Sequence, residues 1–91
     1  MEPLRDLSTA RIIDALYAFR ERQTRKGAVI RLPHPFDASF PVDDTGLGSL
    51  DAAELAVFME NRFGVELDFV AFLRSKTLGD VVSVVSAGIG R

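Results

Sequence analysis

The segment SLDAAELAVFMENRF, residues 49–63, has a strong helical period, and Gly64 closes it. Plotted at about 100° per residue, Ala52, Leu55, Met59 and Phe63 fall on one side. Leu50, Ala53 and Val57 gather near the opposite side, next to Glu54. A soluble helix needs one apolar stripe, so a second must be either buried as well or left exposed for a partner. Asp51, Glu54 and Glu60 beside it describe a small apolar patch with an acidic rim.

Ser49 opens this helix behind Gly46-Leu47-Gly48, and its local chemistry has two readings. As an N-cap, its oxygen accepts a hydrogen bond from an early backbone amide, and the glycines permit a tight turn. As a modification site, its hydroxyl is held at an accessible corner where helix-terminal amides leave room for a phosphate-linked group.

Upstream, Ile12, Leu16 and Phe19 recur at helical spacing, with Ile13 and Tyr17 widening the stripe. Helix one therefore starts at residue 4, where Pro3 suits a first turn, or at residue 9 behind Ser8, and ends at residue 25. Residues 27–48 hold three prolines and three glycines and read as a long connection pinned by Phe36, Phe40 and Val42. Ala28-Val29-Ile30 has extended character but no partner strand in sight. Downstream, residues 68–74 read as a short helix carrying Phe69, Phe72 and Leu73. Thr77-Leu78-Gly79-Asp80 resembles a capping box, with Asp80 in the place of the usual Glu or Gln. Leu78, Val81, Val82 and Val85 form the inward face of the last helix, and residues 87–91 read as a frayed tail.

Composition narrows the function classes. At 91 residues, 47% hydrophobic and 26% charged, the chain suits one globular domain. It has no cysteine, which excludes disulfides, thiolate zinc sites and a cysteine nucleophile. The single histidine, His34, lies between two prolines and reads as an exposed loop residue. Asp43 and Asp44 lack the rest of an EF-hand pattern, and Gly46-Leu47-Gly48 lacks the rest of a dinucleotide or P-loop fingerprint. No apolar run is long enough for a membrane span and nothing resembles a signal peptide, which reads as a soluble, cytoplasmic domain. Net charge is −2, yet residues 1–31 carry seven basic and four acidic side chains against four and nine in residues 32–91. The acidic part suits basic protein partners and not nucleic acid. The cations from Arg20 to Arg31 read as a solvated helix end.

The longer run tips the balance toward the second reading of Ser49. Asp43-Asp44-Thr45-Gly46-Leu47-Gly48-Ser49-Leu50-Asp51, then Glu54-Leu55, then Glu60-Asn61-Arg62-Phe63-Gly64-Val65-Glu66-Leu67, resembles an acyl carrier protein. The resemblance runs from Asp43 to Val85 and includes Thr77 at the head of the last helix; residues 1–42 match only in outline. It implies an all-α four-helix bundle with a long loop between helices one and two and a short third helix. The whole chain, 1–91, would then be a single carrier domain with its core over about residues 4–86.

The resemblance further implies that Ser49 holds a covalent 4′-phosphopantetheine arm, transferred from coenzyme A by a phosphopantetheinyl transferase. Leu50, Asp51, Glu54, Val57 and Glu60 would form the docking face, and Leu55, Met59 and Phe63 the core. Such a carrier is a monomer without an active site of its own. It presents acyl or aminoacyl thioesters to loading and downstream enzymes of fatty-acid, polyketide or nonribosomal-peptide type. The family usually has an acidic residue or a histidine before the serine, where Gly48 stands, and carboxylates are common where Asn61 and Arg62 stand. Gly48 and the proline-bearing connection point to a specialised pathway rather than housekeeping lipid synthesis. Two rival readings are an unmodified carrier-like interaction module using the Leu50/Val57 face, and a nucleic-acid-binding helical domain built on the Arg20–Arg31 cations.

Overall fold

Among the described residues, four α-helices follow one another in the expected order. The computed structural model describes residues 3–90, with side chains from residue 8 onward. The side chain of Leu4 and, in the expected tail, Arg91 lie outside the described residues. Helix α1 spans Pro3–Arg25, α2 Ser49–Phe63, α3 Phe69–Leu73 and α4 Leu78–Ile89, and a 3-10 turn covers Val42–Thr45. No strand occurs among the described residues. The earlier of the two starts for α1, at Pro3, is the one observed.

The apolar periods decide which sides meet. From α1, Ile12, Ala15, Leu16 and Phe19 are buried; from α2, Leu55, Ala56 and Met59; from α4, Val81, Val82 and Val85. Phe72 from the short α3 and Leu67 ahead of it complete the cluster. Ala52 and Phe63, the outer members of the expected α2 stripe, are half-buried against it. Helix α1 packs on both α2 and α4, and α3 on the same two helices.

Each short element has a local cause. Asp68 caps α3, its Oδ1 accepting from the Ala71 amide at 3.1 Å. Gly64 ends α2 in the left-handed region at φ 65°, its N–H reaching the Glu60 carbonyl. At α4 the capping box forms with aspartate: the Asp80 amide donates to Thr77 Oγ1 at 3.1 Å, and Asp80 Oδ2 accepts from the Thr77 and Lys76 amides at 3.2 and 3.0 Å. Those two backbone donors hold the Asp80 carboxyl below its ordinary value of 3.8.

The long connection is tied down rather than loose. Ile30 is buried, and Leu32, Phe36, Val42 and Leu47 pack on the core. Phe40 is half-buried but stands outside that packed set. Ala28-Val29-Ile30 finds no strand to join; instead the Arg31 amide donates to the Thr45 carbonyl at 2.8 Å. Three further backbone bonds staple the connection to the head of α4: Val42 N–H to Lys76 O at 2.8 Å, Leu78 N–H to Phe40 O at 3.0 Å and Gly79 N–H to Ala38 O at 2.8 Å. His34 is exposed as expected, its ring 6.0 Å from that of Tyr17 in an edge-on arrangement.

One expectation is corrected. The tail does not fray at residue 87: α4 continues to Ile89, which packs on the core, and Gly88 is buried. A Cβ at position 88 would come within 2.9 Å of Leu67 Cδ2, so the glycine lets the α2–α3 link close over the end of α4. A run of small residues looked like a loose end because their value lies in close approach, which no periodicity records.

Two outcomes test this packing. Met59→Ala should lower unfolding free energy by about 2–5 kcal/mol in urea melts, whereas Leu50→Ala should stay within about 0.5 kcal/mol of the parent. Because the Asp80 pKa is depressed on folding, its contribution is present above about pH 4 and lost as pH falls through the folded value. Asp80→Asn should therefore flatten the acid limb of the stability–pH curve, measured by thermal melts below neutrality.

Candidate functional site

Ser49 is the first residue of α2, and the N-cap position belongs to Gly48, extended at φ −87° and ψ −178°. The cap is one-sided. Asp51 Oδ2 accepts from the Gly48 amide at 3.3 Å, while a glycine has no side chain to return the bond. The Ser49 hydroxyl is therefore not consumed by capping; it is exposed and has no hydrogen-bond partner among the described residues. Beside it, apart from its chain neighbours, a Cβ on Gly48 would meet nothing nearer than Asp51 Oδ2 at 4.0 Å.

The segment just before Ser49 is, by contrast, firmly held. Thr45 is fully buried; its Oγ1 donates to the Val42 carbonyl and accepts from the Leu47 amide at 3.2 Å. Gly46 turns the chain at φ 84°, with the Val29 carbonyl 3.0 Å from where a Cβ would stand. Leu47 then packs on the core. Asp43 and Asp44 lie exposed in the 3-10 turn that precedes it. A free hydroxyl on a rigid mount, at the positive end of a helix dipole, suits attachment of an anionic phosphate-linked group. The residues present thus fit a phosphodiester, on space and on charge.

The expected docking residues divide into two sets. Leu50 and Val57 are exposed, at 76% and 54%, and Glu54 is exposed between them. Asp51 and Glu60 are half-buried, with their carboxylates bonded internally. Asp51 caps α2 and also lies 3.4 Å from Gln23 Nε2, which bonds Glu54 Oε1 at 3.0 Å. Glu60 Oε2 accepts from the Leu67 amide at 2.9 Å and so closes the turn after α2.

Several contacts and exposures at this surface escaped the sequence reading. Gln23 is 3% exposed and ties α1 to the acids of α2, with its own Oε1 buried and unpartnered. The signal was present: Gln23 continues the Ile12, Leu16, Phe19 stripe, and a polar residue in an apolar row calls for a partner. Phe58 packs on Phe19 with centroids 5.5 Å apart, and the guanidiniums of Arg22 and Arg62 lie 5.7 and 5.8 Å from its ring. Phe58 and Arg62 are four residues apart on one helix face, but no sequence signal joins them to Phe19 and Arg22. Phe69, Val70 and Leu73 leave a second apolar exposure on α3. Of the basic cluster, Arg22 and Arg25 sit in the last turn of α1, the placement expected of a solvated helix end.

Among the described residues no group of three or more His, Asp or Glu side chains is placed to hold a metal ion. No described helix is long and apolar enough to cross a membrane.

Comparison with known proteins agrees with this geometry. The family model described as phosphopantetheine attachment site matches residues 28–85, and the chain belongs to that family, the acyl carrier protein family. Its cofactor is accordingly covalent 4′-phosphopantetheine, and the family is one of carriers. Within it, the chain is similar to the acyl carrier protein of Thermotoga maritima, 37% identical over 49 residues. That match covers 54% of this chain and 60% of the relative, so the chain spans less than two thirds of the relative's length. No solved structure matches.

The two hydroxyls four residues apart should respond oppositely to removal. Thr45→Val leaves the part-buried Leu47 amide without its acceptor and should cost about 1–3 kcal/mol. Ser49→Ala should leave stability within about 0.5 kcal/mol, both read by denaturant unfolding.

Proposed function

We propose that Ser49 is the attachment residue and that the chain is a carrier of acyl or aminoacyl groups, held as thioesters and passed between enzymes. The observation that carries this reading is the exposed Ser49 hydroxyl, free of intramolecular bonds at the head of α2. The thiol of 4′-phosphopantetheine supplies the thioester chemistry when bound. The chain itself contributes position. Thr45 and Leu47 anchor the turn, Gly46 shapes it, and the helix-terminal amides of α2 favour a phosphodiester at Ser49.

Ser49 becomes nucleophilic only inside a phosphopantetheinyl transferase, which brings metal and base. Its oxygen then forms the phosphodiester, with the arm drawn from coenzyme A. The transferase, a loading enzyme and the downstream enzymes must each release the carrier, so docking is weak and partly electrostatic. Leu50, Val57 and Glu54 form the face that suits this, with Asp51 and Glu60 shaping it from within. The carrier unit acts in the cytoplasm as a monomer. Its enzymes are those of fatty-acid, polyketide or nonribosomal-peptide assembly, and Gly48 favours a specialised pathway.

Incubation with coenzyme A and a broad-specificity transferase should raise the intact mass by one phosphopantetheine. Ser49→Ala should gain nothing. No mass gain in the parent across several transferases, or an equal gain in the variant, would sink the assignment.

A further inference from the structure

The apolar strip on α2 is not ringed by acids. Between the last turns of α1 and the middle of α2 lies a groove of about 570 Å3, walled by Ala53, Val57 and Phe58. Glu54 stands toward its Ser49 end; Arg22 and Arg62 stand over the Phe58 ring. Among the described residues neither guanidinium has an ion pair, and the Glu54 carboxylate is bonded to Gln23. The groove therefore carries two guanidiniums above an aromatic floor, and exposed Leu50 lies nearer Ser49 on the same helix.

We infer that this groove docks a partner enzyme through a segment with an apolar anchor and an adjacent carboxylate. The inference rests on reading α2 as the docking helix of a carrier, and it names what the partner must present. The anchor side chain lies against Val57 and Phe58, and the carboxylate reaches Arg22 and Arg62, whose planar forks suit it. From Phe58 to Ser49 is nine residues of helix, about 13 Å at 1.5 Å per residue. A protein seated there lies within one short span of the Ser49 hydroxyl. Partner choice thus follows the polarity of the face, acidic near Ser49 and basic at the far end of the groove. An all-basic docking patch would meet repulsion from both arginines.

The test uses the full chain carrying Ser49→Ala, so that groove binding is read apart from attachment of the arm, which the mass assay reports. Two short acetylated peptides with the same leucine and tryptophan spacing, one bearing glutamates and one lysines, are titrated while amide shifts are followed by NMR. The glutamate peptide should bind more tightly, on the order of 1 mM or better. It should shift the amides of Arg22, Ala53, Val57 and Arg62, and weaken several-fold as salt rises. The charge-reversed R22E/R62E chain should prefer the lysine peptide; the milder R62Q should reduce the glutamate preference; R25Q should leave it intact. Equal affinity for the two peptides overturns the proposal, as do shifts confined to Arg25–Arg31 or a preference indifferent to both R62Q and R22E/R62E. So does self-association that requires Arg62, since the occupant would then be a second copy of the chain.

Discussion

Leu55, Ala56 and Met59 are the hinge on which the rest turns, because their burial decides which way α2 faces. A helix of 15 residues with two apolar sides could seat either one inward. The inward stripe is longer and includes Met59, fully buried, while Leu50 and Val57 offer less area and stand between charged neighbours. Full burial of a large aliphatic side chain is worth about 1.5–3 kcal/mol, so reversing α2 would forfeit several such contributions. Once the inward side is settled, Ser49 and Leu50 have nowhere to go but out. The exposed strip is a consequence of core packing, not a separate device.

That orientation also explains the division of labour among the acids. Asp51 closes the α2 cap, and Glu60 closes the turn toward Leu67. Glu54 faces solvent but is held by the Gln23 amide. These bonds fix where the carboxylates sit. A fixed charge steers an approaching partner without first losing side-chain freedom. The bond from Gln23 has a cost, since its own carbonyl oxygen is buried without a partner. The fold accepts an imperfect polar contact at the joint between α1 and α2.

Much of the bundle was legible in the sequence, for reasons that can be stated residue by residue. The period of Ile12, Leu16 and Phe19, the pair of stripes on α2, and Thr77 with Asp80 at the head of α4 are all local signals, and each reappears in the structure. What stayed hidden depends on residues distant in the chain. The second use of Asp51 requires Gln23, and the charge on the groove requires Arg22 and Arg62 to meet over Phe58. The acidic rim expected from Asp51, Glu54 and Glu60 overlooks Arg62, four residues after Phe58 on α2 itself, and Arg22, which α1 brings to the same ring. Gly88 was misread for a related reason, since a glycine needed for close approach to Leu67 looks the same as one in a loose end.

Gly48 shows how fold and recognition separate at this surface. Its φ of −87° lies where any residue is allowed, and a Cβ there would meet nothing closer than 4.0 Å. Neither backbone strain nor crowding therefore requires glycine, unlike Gly46, where a left-handed φ and the nearby Val29 carbonyl both do. The fold leaves position 48 open, and its chemistry bears on whatever approaches Ser49 from outside. A side chain there would add its own charge or bulk beside the hydroxyl; glycine adds neither. With Asp51 already bonded to the Gly48 amide, the groups left open to solvent at this end of α2 are the Ser49 hydroxyl, the Leu50 side chain and the acids of the preceding turn.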